Sequence, residues 1–401
     1  MKTHQVQQKT ERRISAALRL VFVAALLLGQ IALAFFLSTE LRQRAAIIYT
    51  VLELAAFGYA VRIYNRTDGT SYKFGWIFLV LTVPVVGLIL YFLWNGDRQQ
   101  KRLDLKKLPM PEEPEAQQAA HRIQMEKLRR KFPQWERLSV YLSRQGYLLY
   151  GDTETTYLPT GEAFLQDMLE KLEQAEHFIF LEFFIIAQGQ IWDRMAEIFR
   201  RKAAEGVEVK IIFDDFGSMM RFPAGQIEAL RESGVEVQVF NPVHHYVNRL
   251  YFNYRDHRKI VCIDGSTAYT GGANVADEYA NLTVRFGYWK DCGIRLDGPG
   301  AWGLTREFLH MWQRNGGQLM QERDYYRPHD HREAAGFCQP FVDGPDNNPI
   351  STAEDVFLHL INNARRSVHI TTPYLAIDEP MRQALCSAGD SGVDVRLLLP
   401  G

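Results

Sequence analysis

Hydrophobic positions along the chain change their rhythm near residue 95. Before that point they form long unbroken runs: Ile14 to Leu37, Ala45 to Ile63 and Phe74 to Trp94. The first and third are long enough to cross the ~30 Å hydrocarbon layer of a bilayer. The third, FGWIFLVLTVPVVGLILYFLW, has no charge and carries aromatic residues at both ends, as interfacial anchors do. The second contains Glu53, and the first has Arg19 near its start, where a long side chain can snorkel to the interface. No small-x-small cleavage site followed by a soluble domain comes after the first run, so a removed leader is not expected. Residues 1–95 read as a membrane anchor of two or three transmembrane helices. The flanking charges conflict over its orientation. Lys2, Lys9, Arg12 and Arg13 favour the first end inside, and Arg98, Lys101, Arg102, Lys106 and Lys107 favour the last end inside as well. Three full spans would separate those ends. Either one run is non-spanning or re-entrant, or the charge rule fails here.

After residue 95 the pattern becomes that of a globular chain. Residues 96–135 are a charged linker followed by a helix, AAHRIQMEKLRRKF, whose charges read as a solvated face. Helices and strands then alternate. GEAFLQDMLEKLEQA is an amphipathic helix and HFIFLEFFII a buried strand. IWDRMAEIFRRKAAEG is a helix closed by Gly206, and VEVKIIFDD and VEVQVF are further strands. This order predicts an α/β fold with a parallel or mixed sheet covered on both faces. The order then recurs: AEDVFLHLINNARRSVHITTPYL and PMRQALCSAGDSGVDVRLLLPG are again helix and strand, and GVDVRLLL from Gly392 parallels GVEVKIIF from Gly206. A duplicated α/β unit is the economical reading.

Composition narrows the function classes. The formal net charge of -1 over 401 residues gives no global field for nucleic acid. Cys262, Cys292, Cys338 and Cys386 lie far apart without CxxC spacing, which argues for free thiols rather than disulfides or a zinc site. Unpaired thiols lean toward a reducing compartment for the soluble part.

The candidate chemistry sits in YRDHRKIVCIDG, residues 254 to 265. In an extended segment side chains alternate faces, so His257 and Lys259 point one way and Arg258 the other. An imidazole beside an ammonium makes a place for an anion: the lysine brings charge and donors, and the imidazole can act as nucleophile or proton carrier. Phosphate suits such a site. Downstream, YTGGANVADEY supplies Gly271 and Gly272, which let backbone amides approach an oxyanion, and Asn274, whose side-chain amide can donate to the same oxygens. Asp264 before Gly265 is by itself an ordinary turn pair. Only the combination, His-x-Lys-x4-Asp followed by Gly-Gly-x-Asn, raises these residues above their ordinary structural uses.

HRKIVCIDG…TGGANVADEY resembles the H-x-K-x4-D motif of the phospholipase D superfamily, in the form used by bacterial cardiolipin synthases. FLEFFII, VEVKIIFDDFGS, YWKDCGIRLDGPGAWGLTREFLHMW and TTPYLAIDEP are similar to that family's supporting segments, and the N-terminal apolar runs to its membrane anchor. The resemblance implies a duplicated phospholipase D-like α/β sandwich with its second repeat incomplete. The first repeat would cover 136–325 and the start of the second 326–401. It also implies transfer of a phosphatidyl group between two phosphatidylglycerol molecules through a phosphohistidine, releasing glycerol. Carried over, His257 is a catalytic imidazole, Lys259 holds phosphate oxygens, Asp264 supports the motif, and Gly272 and Asn274 line the phosphate pocket. No metal or organic cofactor is implied. The expected partners are phosphatidylglycerol and membrane lipid, with no nucleic acid, at the cell membrane as a multi-pass protein whose catalytic part leans cytoplasmic.

The family pattern has two such motifs facing one another, and this sequence holds one. HDHREAAG near His331 lacks a following strand, and HHYVNR at His244 and His245 also fails the pattern. The repeat spacing puts a second motif at roughly position 443. The chain is therefore expected to be the N-terminal part of a longer protein and to be inactive or unstable alone. Two other readings stay open: another membrane phosphatidyltransferase or phospholipase D, and a non-catalytic module that binds phosphate head groups.

Overall fold

A proline decides the shape of the most apolar stretch. The computed structural model describes residues 42–66, 69–94, 115–243, 255–285, 287–318, 322–327, 336–344 and 351–399, with a few isolated positions besides. The run from Phe74 to Trp94, expected as one spanning helix, is instead two helices. They are α2 (Thr70–Thr82) and α3 (Pro84–Trp94), broken at Val83, which has φ -133 and ψ 72. Pro84 has no N–H to continue the ladder, and its ring disfavours helical backbone at the residue before it. The chain turns back there: the Trp76 and Tyr91 rings meet edge to face at 5.4 Å. A third helix, α1 (Arg42–Tyr64), packs on this pair through Ala56 and Ile63, with the Tyr59 ring 4.9 Å from that of Phe92. No helix among the described residues is long and apolar enough to cross a membrane. Most of the first run, Ile14 to Leu37, lies outside those residues.

The second unit is built on a seven-stranded mixed sheet. Its strands are β1 (Glu154–Leu158), β2 (Phe178–Phe183), β3 (Glu208–Asp214), β4 (Glu236–Phe240), β5 (Lys259–Ile263), β6 (Thr267–Gly271) and β7 (Gly293–Asp297). The order is β1-β7-β6-β5-β2-β3-β4. β2, β3 and β4 run parallel; the remaining pairs are antiparallel. Every residue of β2 and β5 is buried, as their near-continuous apolar sequence requires of strands covered on both faces. On one face Ile179, Leu181, Val261 and Ile263 meet helices Gly161–Leu172 and Gln190–Ala204 through Phe164, Met168 and Trp192. On the other, Phe178, Phe180, Ile260 and Cys262 meet helix Ala301–Arg314 through Phe308 and Trp312.

Local sequence explains where these helices start. Thr160 accepts from the Ala163 N–H at 3.1 Å and caps Gly161–Leu172. The Asp277 carboxylate caps Gln190–Ala204 from outside the helix, accepting from Gln190 and Ile191, each at 3.0 Å. That helix ends at Gly206, whose φ of 91 favours glycine. The charged segment before the sheet contains helix Glu115–Lys131.

Residues 351–399 form a smaller set: helix Thr352–Asn363, β8 (Ser367–Thr371), helix Glu379–Asp390 and β9 (Asp394–Leu398). Strands β8 and β9 pair in parallel with Ser367 opposite Asp394, as β2 and β3 pair with Phe178 opposite Glu208. The first bond of each ladder corresponds too, Glu208 N to His177 O at 3.0 Å and Asp394 N to Arg366 O at 2.9 Å. Gly206 and Gly392 precede β3 and β9 with φ of 91 and 88. The division expected at 325/326 falls inside the packing of the first core. Tyr150 and Cys338 exchange backbone bonds at 2.8 and 2.9 Å, and Tyr147 Oη donates to the Val342 carbonyl at 2.8 Å.

Phe180 is fully buried, stacked between Phe178 at 4.4 Å and Phe308 at 4.8 Å. Phe180→Ala is expected to destabilise the second unit by about 3–5 kcal/mol, read as a lower midpoint in chemical denaturation.

Candidate active site

The carboxyl ends of β2 and β3, the start of β5, the end of β6 and the start of β7 converge at one end of the sheet, following from the strand order and directions. Ligands in open α/β sheets bind at such an end. His257 and Lys259 lie here, and both lie against Phe184, which follows β2. The His257 ring sits 4.7 Å from the Phe184 ring, and Lys259 Nζ lies 5.6 Å from the same ring while donating to the His257 carbonyl at 2.6 Å. Lys259 is 5% exposed.

Electrostatics set the protonation of this pair. Crowding against protein pushes the His257 imidazole down to about 4, with the Lys259 charge acting in the same direction and Asp256 opposing. Burial pulls Lys259 down to about 8, and Asp256, Asp291 and Asp214 offset part of that. At neutral pH the imidazole is therefore neutral, the form that can attack an electrophile, and the lysine remains cationic.

Arg258 points through the sheet, as strand alternation requires. Its Nε lies 2.9 Å from Glu182 and 3.0 Å from Asp256, on the face of the second core. Burial works against the Asp256 charge, but Arg258 and hydrogen bonds hold its carboxyl below the usual range. Asp214, at the end of β3, accepts from the Asp256 N–H at 2.9 Å and lies 3.3 Å from Arg255. Burial raises Asp214 to about 7. These carboxylates and arginines fix the backbone of residues 255–258, and so the direction of His257. Glu182 was legible as the one charged residue in FIFLEF, and Asp214 as an acid ending a buried strand.

The other expected site residues have different surroundings. Asp264 stands at the opposite end of β5 from Lys259. It accepts from the Glu176, His177 and Phe178 N–H groups at 2.9, 2.7 and 2.8 Å. It ties the start of β2 to the end of β5 and does not join His257 and Lys259. Asn274 is buried; its Oδ1 accepts from Ile185 N at 3.0 Å and its Nδ2 donates to Tyr279 Oη at 2.8 Å. The Gly272 N–H donates to the Cys292 carbonyl at 3.2 Å, so it is not aimed at a ligand. A side chain at Gly272 would strike Asp291, whose carboxylate approaches there, and one at Gly271 would lie 2.7 Å from the Cys292 carbonyl oxygen. The two glycines admit close strand packing and Asp291. Sequence reasoning did not single out Asp291, which burial shifts upward. His244, His245 and His331 lie outside the described residues.

Asp264→Ala leaves three backbone donors without their acceptor and is expected to cost about 2–4 kcal/mol of stability, measured by denaturant unfolding. His257 makes stability depend on pH. Its folded value near 4 lies below the ordinary 6.5, so the unfolded chain binds the proton first as pH falls. Stability should therefore decline between about pH 6.5 and 4. His257→Ala should make that decline shallower, as followed by melting temperature against pH.

Residues 168–284 and 357–401 match the family model described as cardiolipin synthase, PLD-like domain, and residues 54–95 match phospholipase D-nuclease N-terminal. An uncharacterized protein of Streptococcus mutans is 36% identical over 86% of this chain and 74% of its own length. Cardiolipin synthase 2 of Bacillus anthracis is 32% identical over 86% of this chain and 68% of its own. A cardiolipin synthase of Halalkalibacterium halodurans is 30% identical over 81% and 65%. The polar pair at the sheet end, the strand frame that aims it and these relatives agree: the chain belongs to the bacterial cardiolipin synthases, phosphatidyltransferases of the phospholipase D superfamily.

Proposed function

We propose that this protein makes cardiolipin from two molecules of phosphatidylglycerol, with His257 as a covalent catalyst. The observation that carries this reading is His257 and Lys259 side by side against Phe184 at the sheet end, with Lys259 Nζ donating to the His257 carbonyl. In the first step an imidazole nitrogen forms a bond to the phosphorus of phosphatidylglycerol. The bond from phosphorus to the glycerol oxygen breaks, and that oxygen leaves with a proton from a second acid. The family resemblance assigns that acid to another histidine. In the second step a hydroxyl of another phosphatidylglycerol attacks the phosphorus, the P–N bond breaks, and the hydroxyl proton passes to a base. The imidazole is then restored. Two displacements replace one difficult exchange, and the Lys259 ammonium neutralises charge on the non-bridging oxygens. As the phosphate binds, its charge favours the protonated lysine.

Asp264, Gly272 and Asn274 support this chemistry by holding the strand ends on which the pair is mounted. The matching registers of β2–β3 and β8–β9 support a duplicated phospholipase D-like unit, with residues from 351 belonging to the second copy. The apolar outer surface of the N-terminal helices supports anchoring in the cell membrane. Ile47, Val51, Leu54, Phe57, Val61 and Tyr64 form an exposed stripe along α1.

Two measurements test the reaction. In cells lacking other cardiolipin synthases, His257→Ala is expected to reduce cardiolipin formation by a factor on the order of 10³ or more; unchanged formation would refute the proposal. Acid quenching loses a phosphohistidine and alkali strips acyl esters, so the protein mixed with phosphatidylglycerol labelled at phosphorus is quenched in alkali. Retained label that His257→Ala abolishes supports the covalent step, and phosphatidic acid as sole product would favour a phospholipase instead.

A further inference from the structure

The N-terminal unit shows how the last apolar run meets a membrane. Its two helices are too short to span. At 1.5 Å per residue, the 13 residues of α2 and the 11 of α3 reach about 20 Å and about 17 Å, against ~30 Å of hydrocarbon. They are also folded onto one another. In a straight helix Trp76 and Tyr91 would lie about 22 Å apart along the axis, yet their rings are 5.4 Å apart. These two positions are symmetric about the Val83–Pro84 bond. So are Val80 and Gly87, where an added Cβ on Gly87 would lie 2.8 Å from Val80 Cα and 2.5 Å from the Leu79 carbonyl oxygen. Only glycine permits that approach. The turn keeps its backbone bonded, with Val83 N on Leu79 O at 3.0 Å and Gly87 N on Val83 O at 2.6 Å, while Thr82 Oγ1 donates to Phe78 O at 2.6 Å. Pro84 has no N–H to satisfy. Such bonding is what hydrocarbon demands of a turn.

Polar groups gather at the open end of the hairpin. Lys73, one turn into α2, donates to the Tyr64 and Arg66 carbonyls at 3.3 and 3.1 Å. Arg62 closes α1, and Arg98, Lys101 and Arg102 follow α3 in the sequence. The closed end carries Leu79 to Val86 with no charged side chain. Phe74, Phe78 and Leu81 turn outward, exposed.

We infer that residues 70–94 form a re-entrant hairpin that enters the cytoplasmic leaflet and returns to the same side, so that residues 65–69 and 95–107 both lie in the cytoplasm. The inference rests on the membrane-anchoring reading above. It puts the cationic segments that flank the hairpin in the sequence, Arg62 to Lys73 and Arg98 to Lys107, on one side, as the charge rule requires.

Protease mapping of the full chain tests this. A specific cleavage sequence is inserted after Asp68 in one version and after Gln99 in another. Spheroplasts are treated with the protease from outside, or after lysis. The expected result is protection of both sites from outside and loss of the full-length band for both after lysis. Cleavage of either site from outside overturns the inference. In the Pro84→Leu, Gly87→Leu double variant the run can straighten into a single span, so the site after Gln99 should become accessible from outside while the one after Asp68 stays protected. An unchanged pattern there removes the role assigned to the break. Release of the wild-type protein from membranes by alkaline washing would instead overturn the anchoring itself, which separates the two failures.

Discussion

The antiparallel pairing of β2 with β5 is the constraint on which the site depends. It places Phe183 opposite Lys259 and Ile179 opposite Ile263 in the middle of the sheet. A slip of one residue would turn His257 and Lys259 to the opposite face and bring Arg258 into their place. The register is held at both ends. Asp264 binds three backbone N–H groups at the start of β2, and Arg258 joins Glu182 to Asp256 near its end. Between them lie apolar side chains buried on both faces.

This arrangement separates two uses of charge. The ions below the sheet are paired or hydrogen-bonded, and removing one partner would strand another in a poorly hydrated interior. They give rigidity. The pair above the sheet is left with protonation states shifted by its surroundings, His257 toward neutral and Lys259 down to about 8. Shifts of that kind cluster where chemistry is done. The motif thus distributes its three named residues between tasks. His257 and Lys259 lie together at the sheet end, and Asp264 secures the strand that carries them.

The N-terminal unit follows a different physical rule. In the sheet, apolar sequence is covered by helices on both faces. In the first three helices much of it faces outward, and a smaller set that includes Ala56, Ile63, Val80 and Tyr91 packs inward. An apolar exterior is tolerable where the surroundings are themselves apolar.

Much of this was legible in the chain. Alternation in DHRKIVCID put His257 and Lys259 on one face and Arg258 on the other, because strand geometry leaves no other choice. The helix–strand order gave an α/β sheet, and the likeness of GVEVKIIF to GVDVRLLL was matched by equivalent ladders. Tertiary structure decided the rest. The motif and the Gly-Gly-x-Asn after it group Asp264, Gly272 and Asn274 with the site, but strand length carries Asp264 to the far end of the sheet, and neighbouring segments engage the polar groups of the other two. Asp214, Glu182 and Asp291 came from strands distant in sequence, so no local pattern could join them to His257. Hydropathy recorded how apolar the run from Phe74 to Trp94 is. Whether it crosses or turns back depended on a proline, a glycine and the contact between Trp76 and Tyr91, and that contact exists only once the chain has folded.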